Sequence, residues 1–359
     1  MKSRERLLSA LRHEGVDRLP WTALATGYYW RSLPNPLSEQ LGNLVSLLKY
    51  VGADILDLCF DAPAIVIDPR VEVIKETNGR AVETTLQTPI GLLREVRQSE
   101  PEAGTAFRTE FLIGDIEDCG IMEYIYRQRE FAPDFQRAQK RVDSLGDDGL
   151  VAYFGTRSPL PMFLENLAGL ETGILLLNDY PEAVESLLDA IHVKNMELYQ
   201  IVAESPFEFA IGVEDTSTTM ISPRMFEKYV SPCLNDYAKI LHSGNKIHGV
   251  HMCGHLKGLL KHLRELEVDG LESVTPPPTG NLELPEAMRA LGDKLFIIGG
   301  LDAPSFRQQS PKEVNEWMRR LLSQIPSQEG LILEVTDDVS PNTPLENLKA
   351  VGQTILAYG

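Results

Sequence analysis

Short β-like runs alternate with helical runs along this chain, and that alternation leaves few architectures open. "LVAYFGT" leads to a long helical region through "YPEAVESLLDAIHVKNMELYQIVAES", and "FEFAIGVED" to "SPRMFEKYVSPCLNDYAKILHSG". "KIHGVHMCG" leads to "HLKGLLKHLRELE", where Leu256, Leu259, Leu260, Leu263 and Leu266 recur at helical spacing. "VDGLESV", "KLFIIGGLDA" and "GLILEVTDD" are each followed by a helical run in the same way. Two of these helices open with Ser310-Pro311-Lys312-Glu313 and Thr343-Pro344-Leu345-Glu346, each a capping box with proline at the first helical position. Adding "DRLPWTALAT" and "GADILDLCF" brings the strands to about eight, which predicts an α/β fold, a (β/α)₈ TIM barrel. A doubly wound sheet is the alternative.

No Pro/Ser/Gly linker divides the pattern, so residues 1–359 read as one domain. Residues 1–20 form an amphipathic N-terminal helical extension with Leu7, Leu8 and Leu11 on one side. Residues from about 70 to 100 read as an inserted β-hairpin, marked by Asn78-Gly79 between β-rich flanks. There is no apolar run of membrane-spanning length and no signal-like start, so a cytoplasmic protein is expected. With 52 acidic against 34 basic residues the formal charge is −18, which opposes binding to nucleic acid or to anionic lipid. The four cysteines lie far apart with no CxxC pair, so any metal has to be gathered by the fold.

In a barrel the chemistry sits at the C-terminal ends of the strands, and here those ends are polar. They carry Phe60-Asp61, Thr156-Arg157, Glu214-Asp215, His251 with Cys253, Glu272, Asp302, and Glu334 with Asp337 and Asp338. Acidic groups converging on one cavity repel one another, and a bound cation relieves that repulsion; plain solvation is the other solution. His251 and Cys253, two residues apart, face the same side of a strand, as two ligands of one zinc require. A buried free cysteine that only packs is the competing reading. Tyr28, Tyr29 and Trp30 line an apolar pocket or cover the barrel mouth, with plain packing as the competing reading. Gly299-Gly300 either lets a ligand approach the backbone or turns the strand.

"SRERLLSALRHEGVDRLPW", "MISPRMFEKYVSPCLNDYAKILHSGNKIHGVHMCG", "IIGGLDA" and "TPLENLKAV" resemble the uroporphyrinogen decarboxylase superfamily over nearly the whole chain. That resemblance supports the barrel. It also implies one of two activities: decarboxylation in haem synthesis, or zinc-dependent methyl exchange with a cobalamin-carrying corrinoid protein. The decarboxylases follow the first strand with an arginine-rich segment, where this chain has "ALATGYYWRSLP" with Arg31 as its only arginine. The methyltransferase branch has His-x-Cys-Gly where this chain has His251-Met252-Cys253-Gly254. The branch takes its third ligand from a cysteine shortly before "TPxEN", and matching "DDVSPNTPLEN" puts Asp337 in that place, with Glu334 or Glu272 as substitutes.

The resemblance thus implies a corrinoid-dependent methyltransferase with zinc on His251, Cys253 and a carboxylate. Its substrate is a methylated small molecule: a methoxylated aromatic, a methylamine or a betaine. Glu214, Asp215 and Arg157 are the candidate catalytic residues; Tyr28, Tyr29, Trp30, Phe60, Phe154 and Asp302 are the candidate substrate-binding ones. The expected partner is a corrinoid protein, and the resemblance allows a homodimer. The alternatives are a thiol or tetrahydrofolate methyltransferase, a decarboxylase using Arg157 and an acidic strand end, and a barrel that only binds.

Overall fold

The computed structural model describes residues 1–25, 27–34, 38–39, 41–100, 105–214 and 216–358, with the backbone alone for 27 and 28. Asp215 and the Tyr28 side chain, both expected at the site, lie outside the described residues. The chain begins its main sheet with β1 (Trp21–Ala23) and β2 (Leu56–Cys59). It then leaves for β3 (Ala64–Ile67), β4 (Glu72–Asn78), β5 (Ala81–Thr88), β6 (Gly91–Glu100), β7 (Thr105–Glu110) and β8 (Glu130–Pro133). It returns with β9 (Leu150–Phe154), β10 (Phe209–Val213), β11 (Ile247–His251), β12 (Gly270–Val274), β13 (Phe296–Leu301) and β14 (Leu331–Val335).

The eight main strands run in the order β1-β14-β13-β12-β11-β10-β9-β2, every pair parallel. Strand order follows chain order around the ring and never reverses, which excludes the doubly wound sheet and gives a nearly closed (β/α)₈ barrel. The strands read as apolar runs because both of their faces are buried. Inside, Leu58, Ala152, Ile211, Ile298 and Ile332 pack together; outside, Val151, Ala210, Val250, Leu271 and Ile297 meet the helices.

The N-terminal helix, Ser3–Leu11, does more than extend the fold. Leu7, Leu8 and Leu11 pack with Leu56, Leu150, Phe209 and Phe296 at the strand starts and close the floor of the barrel. Beside it, the buried Asp54 carboxylate joins β1 to the start of β2. Its backbone N–H donates to the Trp21 carbonyl, and its carboxylate accepts from Trp21 N–H. That carboxylate also receives Arg6 at 2.6 Å and Arg18 at 3.0 Å.

The insertion is larger than the hairpin the sequence predicts. β4 to β7 form a four-stranded antiparallel sheet reaching Glu110, and β3 pairs with β8 as a separate ribbon. Asn78 pairs with Ala81, so the first turn is Gly79-Arg80, with Gly79 at φ +62°. Charged residues between the later strands hid their alternation. Two helix expectations also change. The Ser310 capping box forms as expected, but the Thr343 hydroxyl donates to the Ser340 carbonyl. The leucine-rich segment after β11 is a 3₁₀ turn, Lys257–Leu259, followed by a short helix, Leu260–Glu265. Among the described residues no helix is long and apolar enough to cross a membrane.

Candidate active site at the barrel mouth

Inward-facing residues at the ends of neighbouring strands meet by register. His251 lies opposite Glu272 across β11 and β12, and Glu334 lies opposite Gly300 and Thr22 across β13 and β1. The His251 Nδ1 and Glu272 Oε2 atoms are 2.5 Å apart, both side chains nearly buried. A register shift between Leu271 and Val274 re-aims this part of β12. Gly299, at φ +147°, permits it: a Cβ there would lie 2.6 Å from the Val274 carbonyl oxygen. The glycine pair therefore serves the strand crossing.

Glu334 is buried, and its Oε2 has no hydrogen-bond partner among the described residues. Burial, and then the Glu272 carboxylate, push the Glu334 carboxyl well above its ordinary range; Asp337 adds to the push and His251 opposes it. Asp337 is exposed, at φ +63°, and its N–H donates to the Ser273 hydroxyl at 2.8 Å. Ser273 is itself left-handed, at φ +64°. Two non-glycine residues in that region, bonded to each other, tie the loop after β14 to the end of β12. Nothing in the sequence signals Ser273, because φ is not legible from residue type.

The structure thus brings His251, Glu272, Glu334 and Asp337 to one end of the barrel. Cys253 is partly exposed and lies beyond the last residue of β11, so strand alternation does not set its direction. Among the described residues no three His, Cys, Asp or Glu side chains stand together as a finished metal cage. The donor chemistry nevertheless suits zinc. Glu272 contacts Nδ1 of His251, and a carboxylate on one ring nitrogen of a histidine is the arrangement that orients a metal-binding imidazole. Glu272 therefore sits behind His251 as its orienting partner, and Glu334 offers a buried oxygen with nothing to bind. His248 faces the opposite, helix-side layer, buried 6.0 Å from the Tyr199 ring.

Other expected residues are distributed differently. Phe154 stands edge-on to His251 with ring centroids 5.7 Å apart, and the exposed Phe60 ring lies 5.0 Å from Phe154. Tyr29 is fully buried with its hydroxyl on the Thr343 carbonyl, so it packs in the core instead of lining a pocket. Trp30 is half-buried against the core. Asp302 caps the helix Ala303–Gln308 by accepting from Ser305 N–H at its Oδ2, and its buried Oδ1 has no hydrogen-bond partner among the described residues. Arg157 pairs with Glu165 at 2.8 Å.

Glu214 is buried, accepting hydrogen bonds from Ser158 N–H at 2.9 Å and Ser158 Oγ at 2.6 Å. Burial raises its carboxyl to about 8 despite those two bonds. A group whose folded pKa exceeds its unfolded value stabilises below the unfolded pKa, and that contribution is lost as pH rises through the folded one. Stability from this group should therefore fall between about pH 4.5 and 8. Glu214→Gln is expected to flatten that fall, read as urea midpoints across the range; an unchanged slope would show that Glu214 does not cause it.

A family model described as Uroporphyrinogen decarboxylase (URO-D) matches residues 165–358. A uroporphyrinogen decarboxylase of Chlamydia muridarum (strain MoPn / Nigg) is 25% identical over 178 residues, 50% of this chain and 51% of that protein. The chain thus spans about half the length of this curated relative. A solved methyltransferase from Methanosarcina mazei shares the fold, with a TM-score of 0.64 at 13% identity over 100% of this chain and 99% of that one. The family match takes in β10 to β14, and with them His251, Glu272 and Glu334. On that match, which covers more than half of its length, the chain belongs to the uroporphyrinogen decarboxylase family.

Proposed function

We propose that this protein is a corrinoid-dependent methyltransferase, moving a methyl group from a methylated small molecule to a cobalamin-carrying corrinoid protein in the cytoplasm. The observation that supports the reading is the buried His251–Glu272 pair at the barrel mouth, where Glu272 contacts Nδ1 and the buried Glu334 lies at the same end of the barrel. His251, Cys253 and one carboxylate, Glu334 or Asp337, would hold zinc. When bound, the metal supplies Lewis acidity to the group that departs from the methyl carbon. Glu272 fixes the imidazole orientation. Phe154 covers the His251 ring and limits water on that side. The full-length fold shared with a methyltransferase is compatible with this reading.

The family match and the Chlamydia relative favour a second reading, a decarboxylase. Neither Glu272 nor Glu334 at the barrel mouth supplies the positive charge that a substrate bearing many carboxylates needs. Metal analysis of the purified native protein separates the two readings. About one zinc per chain, lost in Cys253→Ala, is the expected result. A metal-free protein that transfers methyl groups at full rate would remove the assigned roles.

A further inference from the structure

Cys253 lies past the end of β11, so its place is set by the backbone around it and not by the strand. That backbone is tied to its neighbours on both sides of the thiol. Before it, the His251 carbonyl accepts from Glu214 N–H and Met252 N–H donates to the Glu272 carbonyl, each at 2.9 Å. After it, Gly254 turns the chain at φ +83°. His255 N–H then donates to the Ser217 hydroxyl at 3.1 Å, and the His255 carbonyl accepts from the N–H and the hydroxyl of Thr218, both at 3.0 Å.

Asn281 closes this clamp from the opposite loop. The 3₁₀ turn Lys257–Leu259 starts after Leu256, whose apolar side chain cannot accept from the free N–H groups at a helix start. Asn281 supplies the missing acceptor: its Oδ1 receives Leu256 N–H at 2.8 Å and Lys257 N–H at 3.1 Å. It ends the segment "TPPPTGN" that follows β12, where three successive prolines each fix φ and stiffen the arm. The same arm lies against the residue after Cys253, since a Cβ on Gly280 would stand 2.9 Å from the Gly254 carbonyl oxygen. β12 also carries Glu272, the partner of His251 Nδ1. One strand and the loop after it therefore hold the chain at both ends of residues 252–255.

We infer that Asn281 is a positioning residue for Cys253: by capping the turn at Lys257 it fixes residues 252–255, and with them the thiol, relative to His251. For the use of that thiol as a metal ligand this rests on the proposed function; for the position of the loop it does not.

The test measures two quantities on the full chain. One is zinc affinity, by competition with a chromogenic chelator. The other is the rate at which iodoacetamide alkylates Cys253 in the metal-free protein, followed at that residue by peptide mass spectrometry. Asn281→Ala should bind zinc about 10–100-fold more weakly, the range for groups that orient metal ligands, and its Cys253 should alkylate faster than the native thiol. Asn281→Asp keeps an oxygen in the capping position and should restore both. Asn43→Ala removes the cap of the helix Leu44–Val51, a loss of the same kind elsewhere, and should leave both quantities at their native values. Ser217→Ala takes the acceptor from His255 N–H and should move both quantities in the same direction as Asn281→Ala, which keeps the inference testable if Asn281→Ala does not fold. Native zinc affinity and native alkylation in Asn281→Ala and Ser217→Ala would overturn the inference, as would equal changes in Asn43→Ala. If the native chain binds no zinc while Cys253 alkylation still rises in both variants, the clamp stands and the metal site of the proposed function fails. If zinc binds natively and is lost in Cys253→Ala, but neither variant changes affinity or alkylation, the metal site stands and the clamp fails.

Discussion

His251→Ala is expected to abolish zinc binding at the proposed site and to lower methyl transfer by roughly 10²–10³-fold, the scale on which one charge-stabilising group acts in a transition state. The imidazole contacts the Phe154 ring and, at Nδ1, the Glu272 carboxylate, neither of which is a nitrogen that could take over its role. Glu272→Gln tests the same geometry more finely. It keeps the volume and a hydrogen bond to Nδ1 but removes the charge that fixes the tautomer and raises the basicity of Nε2. Metal affinity should fall about 10–100-fold, as for other partners of ligating histidines. Competition with a chromogenic chelator measures both variants without any substrate. A Glu272→Gln protein that holds zinc as tightly as the native one would mean that the His251–Glu272 contact does not serve a metal.

The second large effect lies at the other end of the barrel. Asp54→Ala should destabilise the fold by about 3–5 kcal/mol, because it breaks a buried ion pair: Arg6 keeps Asp17, and Arg18 loses the carboxylate it shares with Arg6. The Arg6 side chain is 8% exposed and donates to Asp54 at 2.6 Å; Arg18 shares the same carboxylate. The variant also loses the contact to Trp21 N–H at the β1 to β2 seam, where no ladder joins the strands among the described residues. The urea midpoint reads the change. Lys2→Ala, which breaks an exposed pair with Asp147, should leave that midpoint in place. Equal midpoints for Asp54→Ala and the native protein would show that the seam is held by packing alone.

The alternation of apolar runs and leucine-spaced helices was enough to determine the eight parallel strands and their helices. Burial on both faces leaves each strand almost no polar residues until its end, so the polar ends stand out in the sequence and mark the mouth. His251, Glu272 and Glu334 were legible for that reason.

Pairing was not legible. Which carboxylate sits behind His251 depends on the register of β11 against β12, and the register is set by contacts far apart in the chain. The settings of Tyr29 and Asp302 were not legible for a related reason. An aromatic or an acid after a strand looks the same whether it faces a cavity, the core or a helix N-terminus, and only the packing of the helices decides. Cys253 shows the limit of periodicity itself: β11 ends at His251, so the two-residue rule stops one pleat short. The third and fourth strands of the insertion and the left-handed Ser273–Asp337 bond came from tertiary structure alone. Sequence periodicity reports which face of an element is buried; what lies opposite that face is set when separate elements meet, and the pairing of His251 with Glu272 was decided there.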